Sequence, residues 1–242
     1  MPRLRIDVVT LFPEMFDGVL SSSILGRAAA HSSQQPAMVE YHLTNIRDYS
    51  TDKHGKVDQP PYGGGPGMVI QCQPVWDAVA AVEKTAPSPP KRILMTPQGR
   101  RLDQKHVEEL AQSQHLLIVA GHYEGIDERV IEKLAPIELL SVGDYILSGG
   151  ELAAMTLIDS VVRLIPGVLG HPESTEDESF SVANDRHLEH PHYTRPAEWM
   201  DLKVPDVLLS GNHGQIARWR REQALQRTGQ YRPDLIGPTS NA

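Results

Sequence analysis

The chain has 242 residues, 40% hydrophobic and 22% charged, with a formal net charge of −8, enough to bury a proper core as one large domain or two. Its single cysteine, Cys72, excludes an internal disulfide framework and a cysteine-based zinc cluster, and points to a reduced, cytoplasmic compartment. No segment reaches the roughly 20 apolar residues needed to span a bilayer, and the apolar run near the N-terminus is too short for a signal peptide.

Arg5 to Leu11 reads as a buried strand and Ser22 to Ala30 as a short helix with a serine cap. Met38 to Leu43 alternates enough for a second strand. Asn45 to Gly67 has no apolar periodicity and carries Asp52, Lys53, His54, Lys56 and Asp58; a loop this long inside a compact domain is usually functional or mobile. Gln73 to Thr85 is expected to be a helix with Val75, Val79 and Val82 on one face, and Ala86 to Pro90 a turn. The pattern then becomes regular: strand Arg92–Met95, helix Asp103–Gln112, strand His115–Ala120, helix Ile126–Leu134, strand Ile137–Ser141, helix Gly150–Leu164. Strands alternating with helices predict an α/β fold with a parallel sheet. The usual nucleotide-binding signatures, G-x-G-x-x-G and G-x-x-x-x-G-K-[ST], are absent.

Ile165-Pro166-Gly167 ends that last helix, and an acidic run from His171 to Asn184 follows, a composition shift that marks a domain boundary. Beyond it lie a short apolar strand, Val204–Leu209, and a helix, Gly214–Thr228. Charge is segregated along this part. His171 to Glu189 holds Glu173, Glu176, Asp177, Glu178, Asp185 and Glu189 against Arg186, whereas Gly211 to Arg232 holds Arg218, Arg220, Arg221, Arg227 and Arg232 against Glu222. The net charge is awkward for nucleic-acid binding, but such segregation allows one basic face. His187, His190 and His192 are irregularly spaced and lack cysteine partners, so they read as surface or RNA-facing residues and no metal site is expected. Trp219 reads as packing rather than stacking.

Ser141 to Gly170 is the most informative stretch. Gly143, Gly149 and Gly150 flank Ile146–Leu147, and an apolar helix follows at once. Glycines at a turn before a helix start suit either a backbone-lined pocket for a small ligand or a plain strand-to-helix turn. Arg163 stands near the end of a run from Leu152 to Ile165 whose only other charge is Asp159. It is open to an i,i+4 pair with Asp159 or to a role in chemistry.

This stretch resembles the signature of the TrmD family of bacterial tRNA (guanine-N1)-methyltransferases, of the SPOUT class of S-adenosylmethionine (AdoMet) enzymes. Tyr62 to Met68, Thr96 to Gly99, Gly121 to Arg129, His192 to Pro196, Val207 to Gly211 and the opening Asp7 to Glu14 follow the family's order over nearly the whole chain. The resemblance implies a SPOUT-type parallel sheet with a deep trefoil knot, plus a small, mainly helical C-terminal domain. The implied layout is a donor-binding domain over 1–169, a linker over 170–185 and a tRNA-binding domain over 186–242.

It also implies the site. Gly121 and Val142, Gly143, Asp144, Tyr145, Ile146 and Leu147 are the main AdoMet positions; Thr96, Pro97, Gln98, Gly99, Glu124, Gly149 and Gly150 complete the pocket. Thr96 stands where the family usually has serine. Methylating N1 of guanine needs a base for the N1 proton and a donor of positive charge to the carbonyl oxygen. The family's catalytic arginine falls on Arg163. Its catalytic aspartate, directly before a serine, falls on Glu178, with Asp177 one residue earlier; a solvated acidic linker is the competing reading. A homodimer, tRNA as partner and magnesium dependence are implied as well. The rival expectations are a SPOUT enzyme acting on another RNA site, such as a ribose hydroxyl, and an RNA-binding relative without catalysis.

Overall fold

The computed structural model describes residues 2–31, 37–170 and 177–236, and the chain divides into two units, Met1–Gly170 and His171–Ala242. In chain order the first unit contains β1 (Leu4–Thr10), α1 (Asp17–Leu20), α2 (Ser23–Ala29), β2 (Val39–Asn45), β3 (Asp58–Gln59), β4 (Val69–Ile70) and α3 (Cys72–Thr85). There follow β5 (Lys91–Arg101), α4 (Gln104–Leu110), β6 (His115–Ala120), α5 (Glu128–Lys133), β7 (Glu138–Ser141) and α6 (Glu151–Val162).

Five strands form one sheet in the order β2-β1-β6-β5-β7, every pair parallel. All of β6 is buried, as a central parallel strand covered on both faces requires. Its side chains alternate between two cores. Leu116, Ile118 and Ala120 join Ile6, Val8 and Ile93 with Leu157, Ile158 and Val161 of α6. Leu117 and Val119 join Val9 and Leu94 with Val75, Ala78 and Val79 of α3. The sheet is thus the middle of three layers.

A polar cluster around Asp7 interrupts this apolar interior. Asp7 is 1% exposed and accepts from Arg5 Nε at 2.7 Å and from His115 Nε2 at 2.7 Å. His115 Nδ1 lies 2.9 Å from the Ser88 carbonyl oxygen, so the ring ties β1 and β6 to the turn before β5. Burial works against the Asp7 charge, but the hydrogen bonds from Arg5 and His115 outweigh it and hold the carboxyl below its usual range.

Two local expectations change. The strand expected over Arg92–Met95 continues to Arg101, with a break in register between Met95 and Arg100 where Thr96 to Gly99 bulges from the ladder. Pro97 has no N–H to give a ladder, and a Cβ on Gly99 would stand 2.3 Å from the Leu140 nitrogen. Asn45–Gly67 is not featureless: a 3-10 turn spans Ile46–Tyr49, and β3 pairs antiparallel with β4.

The second unit holds β8 (Glu198–Trp199), β9 (Leu202–Lys203), α7 (Asp206–Leu209) and α8 (His213–Tyr231). Val204–Leu209 is therefore not a strand. Pro205 removes a ladder donor and presets the turn into α7, and Leu208 N donates to the Pro205 carbonyl at 2.9 Å. The β8–β9 hairpin turns on Met200 and Asp201, at φ 48° and 63°; Met is not a usual residue there, which hid the hairpin from a reading of turn residues. Residues 171–176 of the expected linker lie outside the described residues.

Candidate functional site

A cavity of about 520 Å³ opens at the carboxyl ends of β6, β5 and β7, three neighbours in the sheet, the place where parallel α/β sheets hold ligands. Its size suits a small molecule. Three loops wall it: the Thr96–Gln98 bulge, the segment from Gly121 to Ile126 after β6, and most of Ser141 to Gly150 between β7 and α6.

Glycines let these loops approach. A Cβ on Gly150 would lie 3.0 Å from the Ala120 Cα and the Gly121 nitrogen, and Gly150 N donates to the Gly121 carbonyl at 2.7 Å. The start of α6 is thereby drawn onto the end of β6. Gly67, at φ +83°, passes under Glu124; a Cβ there would stand 2.2 Å from Oε1 of that side chain. Glu124 N donates to the Met68 carbonyl at 3.0 Å and Ile70 N to that of Gly125 at 2.9 Å, which stitches the glycine-rich segment to the cavity wall.

Gly150 and Ala153 at the start of α6 floor the cavity. Between them Glu151, in the first turn of α6 and 1% exposed, does not line it but centres a buried polar cluster. It accepts from Thr10 Oγ1 at 2.8 Å and from His122 Nδ1 at 3.3 Å. The His122 ring lies 4.8 Å from the Phe12 ring and 5.1 Å, edge-on, from Tyr123. Tyr123 has φ +60°, a left-handed conformation sparsely used by aromatic residues, and its hydroxyl accepts from Arg47 Nη2 at 3.3 Å. Below the cavity, Asp127 caps α5 and pairs with Arg129 at 2.8 Å. The Arg129 guanidinium holds that carboxyl well below the usual range. Burial and the adjoining Asp127 push the Cys72 thiol up.

Thr96, Pro97, Gln98, Gly121, Glu124, Val142, Gly143, Tyr145, Ile146, Leu147, Gly149 and Gly150 all line the cavity, whereas Gly99 and Asp144 do not. Gly99 packs against the β7 backbone, and Asp144 faces outward beside Arg101 at 3.9 Å. Tyr145 and Ile146, 58% and 79% exposed, form an open apolar rim.

Arg163 is half-buried and directly follows α6. A helix of twelve residues rises about 18 Å, so Arg163 sits at the end of α6 remote from the cavity floor. Glu178 is half-buried and Asp177 exposed, both in the second unit; the Glu178 carbonyl accepts from Ser181 N at 3.2 Å. Arg218, Arg220 and Arg221 are exposed on α8. Arg227 lies 5.8 Å over the Tyr231 ring. Trp219 is half-buried, its ring 6.4 Å from His190 and 6.3 Å from Tyr193. Among the described residues no three His, Cys, Asp or Glu side chains gather as metal ligands.

Sequence reasoning passed over Thr10, His122 and Glu151. A signal existed for the last: Glu151 is the one charge at the head of an apolar helix, and burying it demands partners.

A sequence profile described as "tRNA (Guanine-1)-methyltransferase TrmD" matches residues 4–238. The chain is 53% identical over 233 residues to the tRNA (guanine-N(1)-)-methyltransferase of Bacillus cereus (strain AH820), covering 96% of this chain and 92% of that protein. It has the same identity and coverage with the proteins of that description from Bacillus anthracis (strain CDC 684 / NRRL 3495) and Bacillus thuringiensis subsp. konkukian (strain 97-27). With the profile spanning nearly its whole length, the chain belongs to the tRNA (guanine-1)-methyltransferase TrmD family.

Proposed function

We propose that this chain methylates N1 of the guanine 3′ to the anticodon of tRNA, with AdoMet as methyl donor. The observation that carries the reading is the glycine-lined cavity at the ends of β6, β5 and β7, whose walls hold all but two of the expected donor positions. A trefoil knot through these loops, as in the SPOUT class, would explain why three separated segments crowd one place.

The donor supplies a methyl carbon on a cationic sulfur; the S–CH₃ bond breaks as the N1–CH₃ bond forms. The protein's part is to remove the N1 proton and to hold the charge that then builds on the guanine oxygen. In this reading Glu178 takes the proton, with Asp177 as the alternative base, and the Arg163 guanidinium faces the oxygen. A preorganised donor of this kind is worth about 10²–10³-fold in rate.

Arg163 stands a helix length from the cavity floor of its own chain, and this favours a homodimer in which a second copy completes each site. The donor-binding domain is then 1–169, and the linker over 170–185 and the tRNA-binding domain over 186–242 serve the partner's cavity. The exposed arginines of α8 suit tRNA phosphates. Magnesium dependence belongs to the same reading, but the described residues show no donor set built for that ion. A tRNA-modifying enzyme of this kind works in the cytoplasm, and no described helix is long and apolar enough to cross a membrane.

The test is methyl transfer from labelled AdoMet to an anticodon stem-loop, followed by nucleoside analysis. Label on N1 of guanine is expected. Label on a ribose hydroxyl would assign the enzyme to another RNA site, and tight RNA binding with no label would make it a silent relative. Arg163→Ala is expected to lower turnover about 10²–10³-fold with AdoMet affinity near wild type; a matching loss of affinity would make the residue structural. Of Glu178→Gln and Asp177→Asn, made separately, only the first is expected to collapse kcat.

A further inference from the structure

The described residues that line the cavity offer a ligand backbone groups, two acids and one basic side chain. The acids are Glu124 and Glu128; the single basic side chain among the lining residues is His122. AdoMet carries a sulfonium and an ammonium, which suit the acids, and also a carboxylate, which they repel. Among the described lining residues His122 is the one side chain that can meet that carboxylate with a ring N–H.

His122 is held for such a task. Its Nδ1 donates to Glu151 Oε2 at 3.3 Å, and the other Glu151 oxygen is taken by Thr10 Oγ1 at 2.8 Å. Thr10 Oγ1 also accepts from Phe12 N at 3.1 Å, so the chain of bonds is anchored in backbone. The Phe12 and Tyr123 rings fix the plane of the imidazole. Nε2 is the ring nitrogen left for a ligand. Each ring nitrogen then has its own partner, Nδ1 the buried carboxylate and Nε2 an anion in the cavity, and contacts chained in this way reinforce each other.

We infer that His122, positioned by Glu151, anchors the carboxylate of the methyl donor. The inference rests on the cavity being the AdoMet site. It makes His122 a donor-binding residue and Glu151 a positioning residue that acts through it.

Calorimetric binding of S-adenosylhomocysteine and of its decarboxylated analogue, which keeps the amine, separates the possibilities. Wild type is expected to prefer the carboxylated ligand about tenfold, as suits one charge-assisted hydrogen bond. His122→Ala should bind both ligands with the wild-type affinity for the decarboxylated one, measured well below its melting temperature. His122→Lys should keep the preference, and Glu151→Gln should shrink it about threefold while leaving affinity for the decarboxylated ligand in place. If Glu151→Gln does not fold, the His122 variants decide alone. Equal weakening of both ligands by His122→Ala would show the ring to be only a wall, and no preference in wild type would show the carboxylate to be unanchored; either result overturns the inference. Wild type binding neither ligand would instead bring down the donor-site reading, and the inference with it.

Discussion

Helices α6 and α8 use their sequences in opposite ways. Eight of the twelve residues of α6 are buried, against Ala224 and Thr228 alone among the nineteen of α8. The first helix is a slab of core: Ala154, Leu157, Ile158 and Val161 pack under the sheet, and its one first-turn charge, Glu151, is buried and paired. The second buries too little apolar surface for packing to be its main support, and helices without such support are marginal in water. Polar bonds take over. Asn212 Oδ1 caps the helix at the Gln215 nitrogen, 3.2 Å away, and Thr228 Oγ1, fully buried, donates to the Ala224 carbonyl at 2.7 Å while accepting from Leu188 N at 3.0 Å. A helix that packs forms the floor of a cavity. A helix held at a few polar points keeps Arg218, Arg220 and Arg221 in solvent, where a polyanion can reach them.

That contrast can be broken or sharpened by substitution, with hydrogen exchange of the β6 and α8 amides reporting each unit by itself. The largest effect is expected at the buried polar cluster around Asp7, an exception to the apolar rule of the first unit. Asp7→Asn leaves the Arg5 guanidinium without its counter-charge and should cost about 3–5 kcal/mol in β6 protection at neutral pH. The pH dependence should change too. Because the folded Asp7 carboxyl is held below its usual range, its stabilisation is full above the unfolded value near 4 and is lost as pH falls through the folded one. Wild type should therefore lose stability in acid below about pH 4, and Asp7→Asn should flatten that limb. A steeper acid limb in the variant would contradict the assignment.

Next comes Ile118→Ala, which opens a cavity under α6 and is expected to cost about 2–5 kcal/mol in the first unit, with α8 protection unmoved. Thr228→Val follows at about 1–3 kcal/mol, read at α8, because it orphans the Leu188 N–H and removes the bond to Ala224. If Thr228→Val proved neutral, polar anchoring of α8 would be the wrong account. Leu225→Ala, at a position 51% exposed, should change α8 protection by no more than about 0.5 kcal/mol; a cost like that of Ile118→Ala would erase the distinction between the helices.

Much of the first unit was legible in the chain because its elements are locally consistent. His115–Ala120 reads as a strand from its unbroken apolar run and is one, residue for residue. The three loops that wall the cavity stand out through their glycines, and the cavity gathers nearly all of them. The failures are equally local in cause. Val204–Leu209 is apolar enough for a strand, but Pro205 turns it into α7. Arg92–Met95 is only the start of β5, since the sheet resumes past a bulge that proline and glycine seem, on composition alone, to end. Gly99 shows what a motif does not reveal: a Cβ there would meet the β7 backbone at Leu139 and Leu140, a packing need that only the folded sheet creates.

By itself the amino-acid order determined which faces are apolar, where strands give way to helices and which glycine-bearing segments mark the family, because periodicity and turn chemistry act over a few neighbouring residues. Tertiary structure decided the strand order that sets β6 between β1 and β5, the meeting of three loops at one sheet end, and the partners of Glu151. Thr10 and Glu151 are 141 residues apart in the chain. Nothing in the vicinity of either records the other, since such a contact exists only after both cores have packed and brought β1 against the start of α6.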